Sequence, residues 1–371
     1  MIYFDYAATT PIDKEVMSVY IKTQENFFAN TNSLHKLGQM SNYMFEKATN
    51  EIKDLLGIKR HNIIYTSNAT EANNLSILGF VEAHSKGKLI TTKIEHPSVH
   101  EVFKKLANDG YEVVYLDVNS NGIIDLEELK KELTKDVILV SIMWVNNIVG
   151  SIQPIGEVIE MLKEYPKVKL HVDVVQGIGK IKPDFSFNDI DFLTLSGHKI
   201  YCPKGIGMLA IRDNINLHQR IFGANNQYKI KPGTLDLALV VSLTKAMQLI
   251  LARQAEDYKY VKELNLYFRD KIKDLKNIVI NSSSDASPFI ISFSILNIKG
   301  STLLNYLEEK NIYISTGSAC SSKYIKLEKT IFAMTKDEVR TNSSVRVSFS
   351  HLSTKEEINI LVEVLKKLYE V

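Results

Sequence analysis

A lysine stands in the turn between two apolar runs, in the stretch Phe192-Leu-Thr-Leu-Ser196-Gly197-His198-Lys199-Ile-Tyr-Cys202-Pro-Lys204-Gly205-Ile-Gly207. An ammonium held there loses hydration, which lowers its pKa and yields the free amine that attacks a carbonyl to form a Schiff base. Ser196 and His198 flank it with donors suited to an anion such as phosphate. A surface-loop lysine beside two core strands is the competing explanation.

Other residues have types and positions that suit the same chemistry. Asp173 lies in the apolar run Leu170-His-Val-Asp173-Val-Val-Gln176. A buried carboxylate needs a partner: a cationic ring nitrogen would serve, and so would a neighbouring turn to cap. Glu95-His96-Pro97 puts an imidazole at a helix start, able to stack on a flat ring and move protons, or simply structural. Ser67-Asn-Ala69-Thr70-Glu71 sits where a strand gives way to a helix, so backbone N–H groups and the Thr70 hydroxyl form an anion site, or a plain helix cap. Asn146 and Asn147 follow a strand at its carboxyl end. Cys320 lies among small residues, Ser315-Thr-Gly317-Ser318-Ala319-Cys320-Ser321-Ser322, which fits an accessible nucleophile better than a packed core thiol. Arg346, in the apolar run Ser344-Val-Arg346-Val-Ser-Phe349, needs an anion, either a substrate carboxylate or a structural Asp or Glu.

Alternating strands and helices must position these residues. Predicted strands cover Asn62 to Thr66, Leu89 to Thr92, Tyr111 to Leu116, Val137 to Val145, Lys169 to Val174, Asp191 to Leu195 and Met208 to Ile211, with helices between them. Asp13 to Phe28 and Ser41 to Leu56 read as helices, the second closed by Gly57. The alternation predicts a mostly parallel sheet covered on both faces, with its site outside the carboxyl ends of the strands. Asp236 to about Leu275 has helical periodicity and no Gly or Pro, as in a helix connecting two domains. Beyond it, Phe289 to Leu296 and Val345 to Phe349 read as strands and Thr302 to Lys310 and Lys355 to Tyr369 as helices, a smaller α+β unit.

The 371 residues allow one large domain with a satellite. A formal net charge of +2 makes no case for nucleic acid or membrane, and no apolar run reads as long enough to span a bilayer. Two cysteines, Cys202 and Cys320, exclude a disulfide framework and a zinc or iron–sulfur site. Asp5 falls where a signal peptide needs a basic end and an apolar run, so a cytoplasmic protein is expected.

The order of these segments resembles the class V, fold-type I pyridoxal-phosphate enzymes, and among them the cysteine desulfurases of the NifS/IscS type. The matching segments are Tyr3 to Pro11, Ala69-Thr70-Glu71, Glu95-His96, Val145-Asn-Asn147, His171-Val-Asp173 with Gln176, Ser196-Gly-His198-Lys199, Gly233-Thr234, Gly317-Ser-Ala-Cys320 and Ser344-Val-Arg346. The resemblance implies a large domain (14–255) with a mostly parallel seven-stranded sheet, and a smaller α+β domain built from 1–13 and 256–371. It implies that Lys199 holds pyridoxal 5'-phosphate covalently and later takes the α-proton, and that Asp173 keeps the ring nitrogen protonated. His96 would stack on the ring as acid/base. Gln176 and Asn147 would contact the ring oxygen and substrate. Ala69 (backbone), Thr70, Ser196 and His198 would bind the phosphate. Thr234 would reach the phosphate of a neighbouring subunit, implying a homodimer. Arg346, assisted by Asn32, would hold the carboxylate of L-cysteine, and Cys320 would take its sulfur as a persulfide, leaving alanine.

The persulfide would pass to an acceptor protein in iron–sulfur cluster assembly or tRNA thiolation. The chain stops at Val371, without the longer tail by which housekeeping members meet an iron–sulfur scaffold, so the expected acceptor is another sulfur carrier, such as a tRNA-thiolation enzyme. Ile148 and Trp144 depart from the family pattern, as does the stretch Gly223 to Pro232, where Lys231 replaces an arginine. Cys202 stands where glycine is usual and either fills space or offers a second thiol. A class V aminotransferase, a selenocysteine lyase and a non-catalytic binding homologue are the alternatives.

Overall fold

A computed structural model describes residues 1–316 and 328–368. The chain begins with a two-residue strand, β1 (Ile2–Tyr3), and two helices, α1 (Lys14–Asn26) and α2 (Lys36–Leu56). Strand and helix then alternate as β2 (His61–Thr66), α3 (Ala69–Ala83), β3 (Lys88–Thr92), α4 (Pro97–Asn108), β4 (Val113–Leu116), α5 (Leu126–Glu132), β5 (Val137–Ser141), α6 (Ile155–Leu162), β6 (Lys169–Asp173), β7 (Phe192–Ser196) and β8 (Gly207–Arg212). A helix of 36 residues, α7 (Leu237–Ile272), follows. The rest comprises β9 (Ile278–Ile280), β10 (Ile290–Ile295), α8 (Gly300–Glu308), β11 (Ile312–Tyr313), α9 (Lys329–Thr335), α10 (Glu338–Asn342), β12 (Ser344–Ser348) and α11 (Lys355–Lys367).

The large sheet has seven strands in the order β2-β8-β7-β6-β5-β3-β4. All are parallel except β8, which runs antiparallel between β2 and β7. The inner strands are almost wholly buried, as a sheet covered on both faces requires, while the edge strand β4 is only partly covered. One apolar core, with Ile52, Ile90, Val140, Val172 and Val240, packs α2, α6 and the start of α7 against one face. Another, with Phe80, Val99, Phe103 and Leu209, packs α3 and α4 against the other. A separate core gathers Phe4, Phe268, Phe293, Val347 and Leu361 around the antiparallel sheet β12-β10-β9. The unbroken helix α7 enters both interiors, with Leu243 and Ile250 in one and Val261 and Phe268 in the other.

Length and composition alone would let α7 cross a membrane, contrary to the expectation that no run is long enough. Its apolar residues are instead shared between the two interiors. The N-terminal segment also bridges them: Phe4 is fully buried in the second core, while Thr10 donates to the His198 carbonyl beside the main sheet.

The expected strand Val137 to Val145 is shorter, because β5 leaves its ladder after Ser141. The following residues turn outward, with Val145 bridging Ile152, and this carries Met143, Val145 and Asn147 towards the carboxyl ends of the strands. Trp144 points the other way, into a cluster with Phe185 and Phe187. Its ring lies against Gly177, where an added Cβ would sit 2.1 Å from Trp144 Cε3, so only glycine fits there. Ile148 is buried against Ile331 and Met334 of α9. Both departures from the family pattern are therefore core residues in this chain.

The turn between β3 and α4 is tied down by a buried carboxyl group. Glu95 Oε1 accepts from the Met143 N–H at 2.9 Å and the Thr92 hydroxyl at 3.0 Å. Burial, helped by the nearby charge of Asp173, raises its pKa from 4.5 to about 8 against the pull of those two donors. A group whose folded pKa is raised binds its proton better in the native state, so its stabilisation is complete below pH 4.5 and lost as pH climbs through about 8. Glu95→Gln keeps the carbonyl acceptor and removes the titration. The decline in melting temperature across that window should therefore be shallower in the variant than in the parent; identical slopes would assign the pH dependence to other groups.

Candidate active site

The carboxyl ends of β2, β5, β6 and β7 open into a cavity of about 250 Å³. Its wall includes Ala69, Thr70, His96, Asn147, Asp173, Gln176, Ser196, His198, Lys199 and Arg346, all singled out in the sequence, together with Ala7 and Ala8 of the N-terminal segment. Asn32 and Thr234 are exposed and line no part of it. Cys320 lies outside the described residues. A larger surface cleft of about 1150 Å³ beside α5 and α6 has neither histidine nor cysteine in its lining.

One end of the cavity suits an anion. The helix α3 starts there with Asn68 as its cap, its side chain accepting from the Glu71 N–H at 3.0 Å. Backbone N–H groups in a helix's first turn lack intrahelical partners and favour negative charge. Gly207 at the start of β8 lets the sheet approach this turn closely, since a Cβ there would fall 2.7 Å from the Asn68 carbonyl carbon. Ser196 Oγ is buried and has no hydrogen-bond partner among the described residues. His198 Nδ1 lies 3.1 Å from Thr9 Oγ1, and burial, reinforced by the charges of Lys199, Lys204 and Lys180, lowers its pKa to about 4. The imidazole is therefore a neutral donor at physiological pH.

Asp173, at the end of β6, is buried and accepts from Asn73 Nδ2 at 3.2 Å and from the Val175 N–H at 3.0 Å. Burial pushes its carboxyl upward, while His96 and these hydrogen bonds pull it down. Neither donor carries a charge, so a cation in the cavity would favour the carboxylate further. Burial likewise lowers the pKa of His96 despite Asp173.

Lys199 is half-buried, less enclosed than its apolar flanks predict. Its Nζ donates to the carbonyls of Ala7 and Ala8, each at 2.6 Å. Gln176 Nε2 donates to the same Ala7 carbonyl at 2.9 Å, and Gln176 Oε1 accepts from Lys180 Nζ at 2.9 Å. Lys180 is buried, and desolvation with the charges of Lys199 and Arg346 lowers its pKa to about 7. Arg346 meets the anion its sequence context demanded: Nη2 donates to Asp5 Oδ1 at 2.7 Å and Nη1 to the Asn147 carbonyl at 2.8 Å. Its Nε is buried with no partner among the described residues.

Sequence reasoning did not single out Asp5 as the partner of Arg346, nor Asn73, Ser98 or Lys180. Lys180 offered a signal, a charge in the glycine-spaced run Gly177-Ile-Gly-Lys180 after an apolar strand. Asp5 and Asn73 offered none, since their partners lie 341 and 100 residues away along the chain. Cys202 is buried in the main core, and burial pushes its thiol far up, which suits a space-filling residue.

The donor set fits a phosphorylated pyridine. The unpartnered Ser196 hydroxyl and the α3 N-terminus would hold the phosphate, the buried Asp173 would face a protonated ring nitrogen, and Lys199 would supply the amine. Comparisons with known proteins agree. The aminotransferase class-V family model matches residues 2–361. The chain is 36% identical to cysteine desulfurase IscS of Dictyoglomus turgidum, covering 100% of this chain and 94% of that protein. It is 35% identical to cysteine desulfurase IscS of Neisseria gonorrhoeae, covering 98% and 91%. Among solved structures, a NifS-like protein superposes with a TM-score of 0.93 at 32% identity, covering 100% of this chain and 99% of that one. The structure of SspA in complex with cysteine superposes with a TM-score of 0.83 at 29% identity, covering 95% of this chain and 100% of that one. With its sheet order, its cavity and this likeness over the whole length, the chain belongs to the class-V aminotransferase family, in its NifS/IscS-type cysteine desulfurase branch.

Proposed function

We propose that the protein is a pyridoxal 5'-phosphate-dependent cysteine desulfurase that converts L-cysteine to L-alanine and receives the sulfur on Cys320 as a persulfide. The observation that carries this reading is the meeting of Lys199, Asp173, His96 and Arg346 on one cavity in a chain with desulfurase relatives along its whole length. The cofactor, when bound, supplies an electron sink that acidifies the substrate's Cα–H and weakens the bond to its sulfur. Lys199 attaches the cofactor and carries the α-proton, and Asp173 keeps the ring nitrogen protonated. His96 packs on the ring and exchanges protons with the substrate. Gln176 and Asn147 contact the ring oxygen and the substrate, while Ala69, Thr70, Ser196 and His198 hold the phosphate. The Cys320 thiolate attacks the substrate sulfur; the carbon–sulfur bond breaks, a sulfur–sulfur bond forms, and the released carbon is protonated to give alanine. A persulfide thiol must then reach an acceptor, which suits a residue carried on a loop.

The wider reading is a cytoplasmic homodimer. Phe28, Leu34, Tyr43 and Phe222 are exposed in a single chain, large apolar groups that a second subunit would cover, and Thr234 would then reach the partner's phosphate site. Two interiors sharing α7 support a large domain over 14–255 and a small one from 1–13 and 256–371. The acceptor is a protein of iron–sulfur cluster assembly or tRNA thiolation.

Arg346 binds the substrate carboxylate in exchange for its partner Asp5, while Asn32 lies outside the cavity. Arg346→Lys loses the planar fork, so KM for L-cysteine should rise about tenfold or more with a smaller change in kcat. An unchanged KM would restrict Arg346 to pairing with Asp5. The reaction itself is tested by incubating the protein with L-cysteine and weighing the tryptic peptide that contains Cys320. That peptide should gain one sulfur atom, and Cys320→Ala should stop alanine formation; transamination that continues unchanged in Cys320→Ala would assign an aminotransferase instead.

A further inference from the structure

Behind the cavity wall, a run of buried polar groups joins His96 to Asp173. Ser98, just inside α4, has its backbone N–H 3.2 Å and its hydroxyl 2.7 Å from His96 Nδ1. The Ser98 hydroxyl lies 2.8 Å from Asn73 Nδ2, and the same amide nitrogen lies 3.2 Å from Asp173 Oδ2. On its other side, Asn73 Oδ1 lies 3.1 Å from His171 Nε2, and His171 Nδ1 lies 2.8 Å from Ser141 Oγ. Asn73, Ser98, His171 and Ser141 are all buried.

The direction of every bond in this run follows from one group that can only donate. A backbone N–H has no lone pair to offer, so His96 Nδ1 must be an acceptor and carries no proton. The Ser98 hydroxyl at the same nitrogen therefore donates as well, and its oxygen is left to accept. The Asn73 atom facing that oxygen must then be the NH2 group, whose second hydrogen serves the Asp173 carboxylate. This turns the Asn73 carbonyl towards His171, so His171 carries its proton on Nε2 and accepts at Nδ1 from the Ser141 hydroxyl. Each donor has an acceptor, and reversing any one bond would leave two donors or two acceptors facing each other in a dry site.

We infer that Asn73 and Ser98 are positioning residues, anchored by His171, which hold the neutral His96 ring in a single tautomer with its proton on Nε2, and that the same Asn73 amide ties this choice to Asp173 through its second hydrogen. Asn73 gives one hydrogen to each branch, so the orientation of its amide serves the imidazole and the carboxyl group together. The inference rests on the proposed function only for what His96 does with its Nε2 proton.

The test is long-range ¹H–¹⁵N correlation of the imidazoles in protein labelled with ¹⁵N-histidine, without added ligand, at about pH 8, above the ordinary imidazole range. His96→Asn assigns the signals. The parent should show His96 in one tautomer, with the proton on Nε2 and Nδ1 at a shift typical of a hydrogen-bonded acceptor. Ser98→Ala and Asn73→Ala should each move Nδ1 towards the free-nitrogen position and shift the tautomer ratio about fivefold, the worth of one net hydrogen bond. Ser98→Thr, which keeps the hydroxyl, should resemble the parent. A parent with its proton on Nδ1 overturns the inference, as does a Ser98→Ala spectrum indistinguishable from it. None of these readings requires turnover, so a failure of the desulfurase proposal would leave them standing, and the converse holds equally.

Discussion

A carboxylate buried at the end of a central strand is the most demanding element of this structure, and much of the site's architecture answers to it. Asp173 lies in a dry sheet interior, where an unpaired charge is costly. It is reached by an asparagine amide and a backbone N–H, neither charged. A protein that keeps an acid in such a place has use for a cation in front of it. Asp173 therefore links the cost of folding this strand end to the ligand chemistry the cavity accepts.

The N-terminal segment adds a second constraint by tying the two interiors together at the site. Phe4 is locked into the smaller core, Asp5 pairs with Arg346 of β12, and the Ala7 carbonyl receives both Lys199 and Gln176. Thr10 then bonds the His198 backbone. A shift of the smaller unit would thus be felt directly at the amine and at the arginine. This wiring explains why residues almost the full chain length apart line one cavity.

Much of this was legible in the sequence, for reasons that can be named. Long apolar strands alternating with amphipathic helices announced the covered parallel sheet, and Gly57 ends α2 in the left-handed conformation expected of it. Site residues were legible wherever a polar group interrupted an apolar strand or closed one, as at Asp173, Lys199 and Arg346. The reversed direction of β8 was not, because a fully buried strand reads alike in either direction. Nor was the two-residue pairing of β1 with β11, too short to show a period. The early departure of β5 from its ladder was hidden by the continuing apolar run, whose residues split between the core (Trp144) and the cavity (Met143 and Val145). Arg346 advertised its need for an anion, but only the fold could supply Asp5. The hydrogen-bonded run from Ser141 to His96 was hidden for the same reason, since its links through His171 and Asn73 join separate elements.

The most direct measurement of the central claim is covalent attachment of pyridoxal 5'-phosphate to the amine at the cavity. The full-length protein, loaded with the cofactor and reduced with borohydride, is digested and its peptides are weighed. The account predicts a single tagged site at Lys199, with the tag abolished by Lys199→Ala and its yield much reduced by Asp173→Ala. A tag on other lysines that survives Lys199→Ala, or none at all on a folded parent protein, would contradict it.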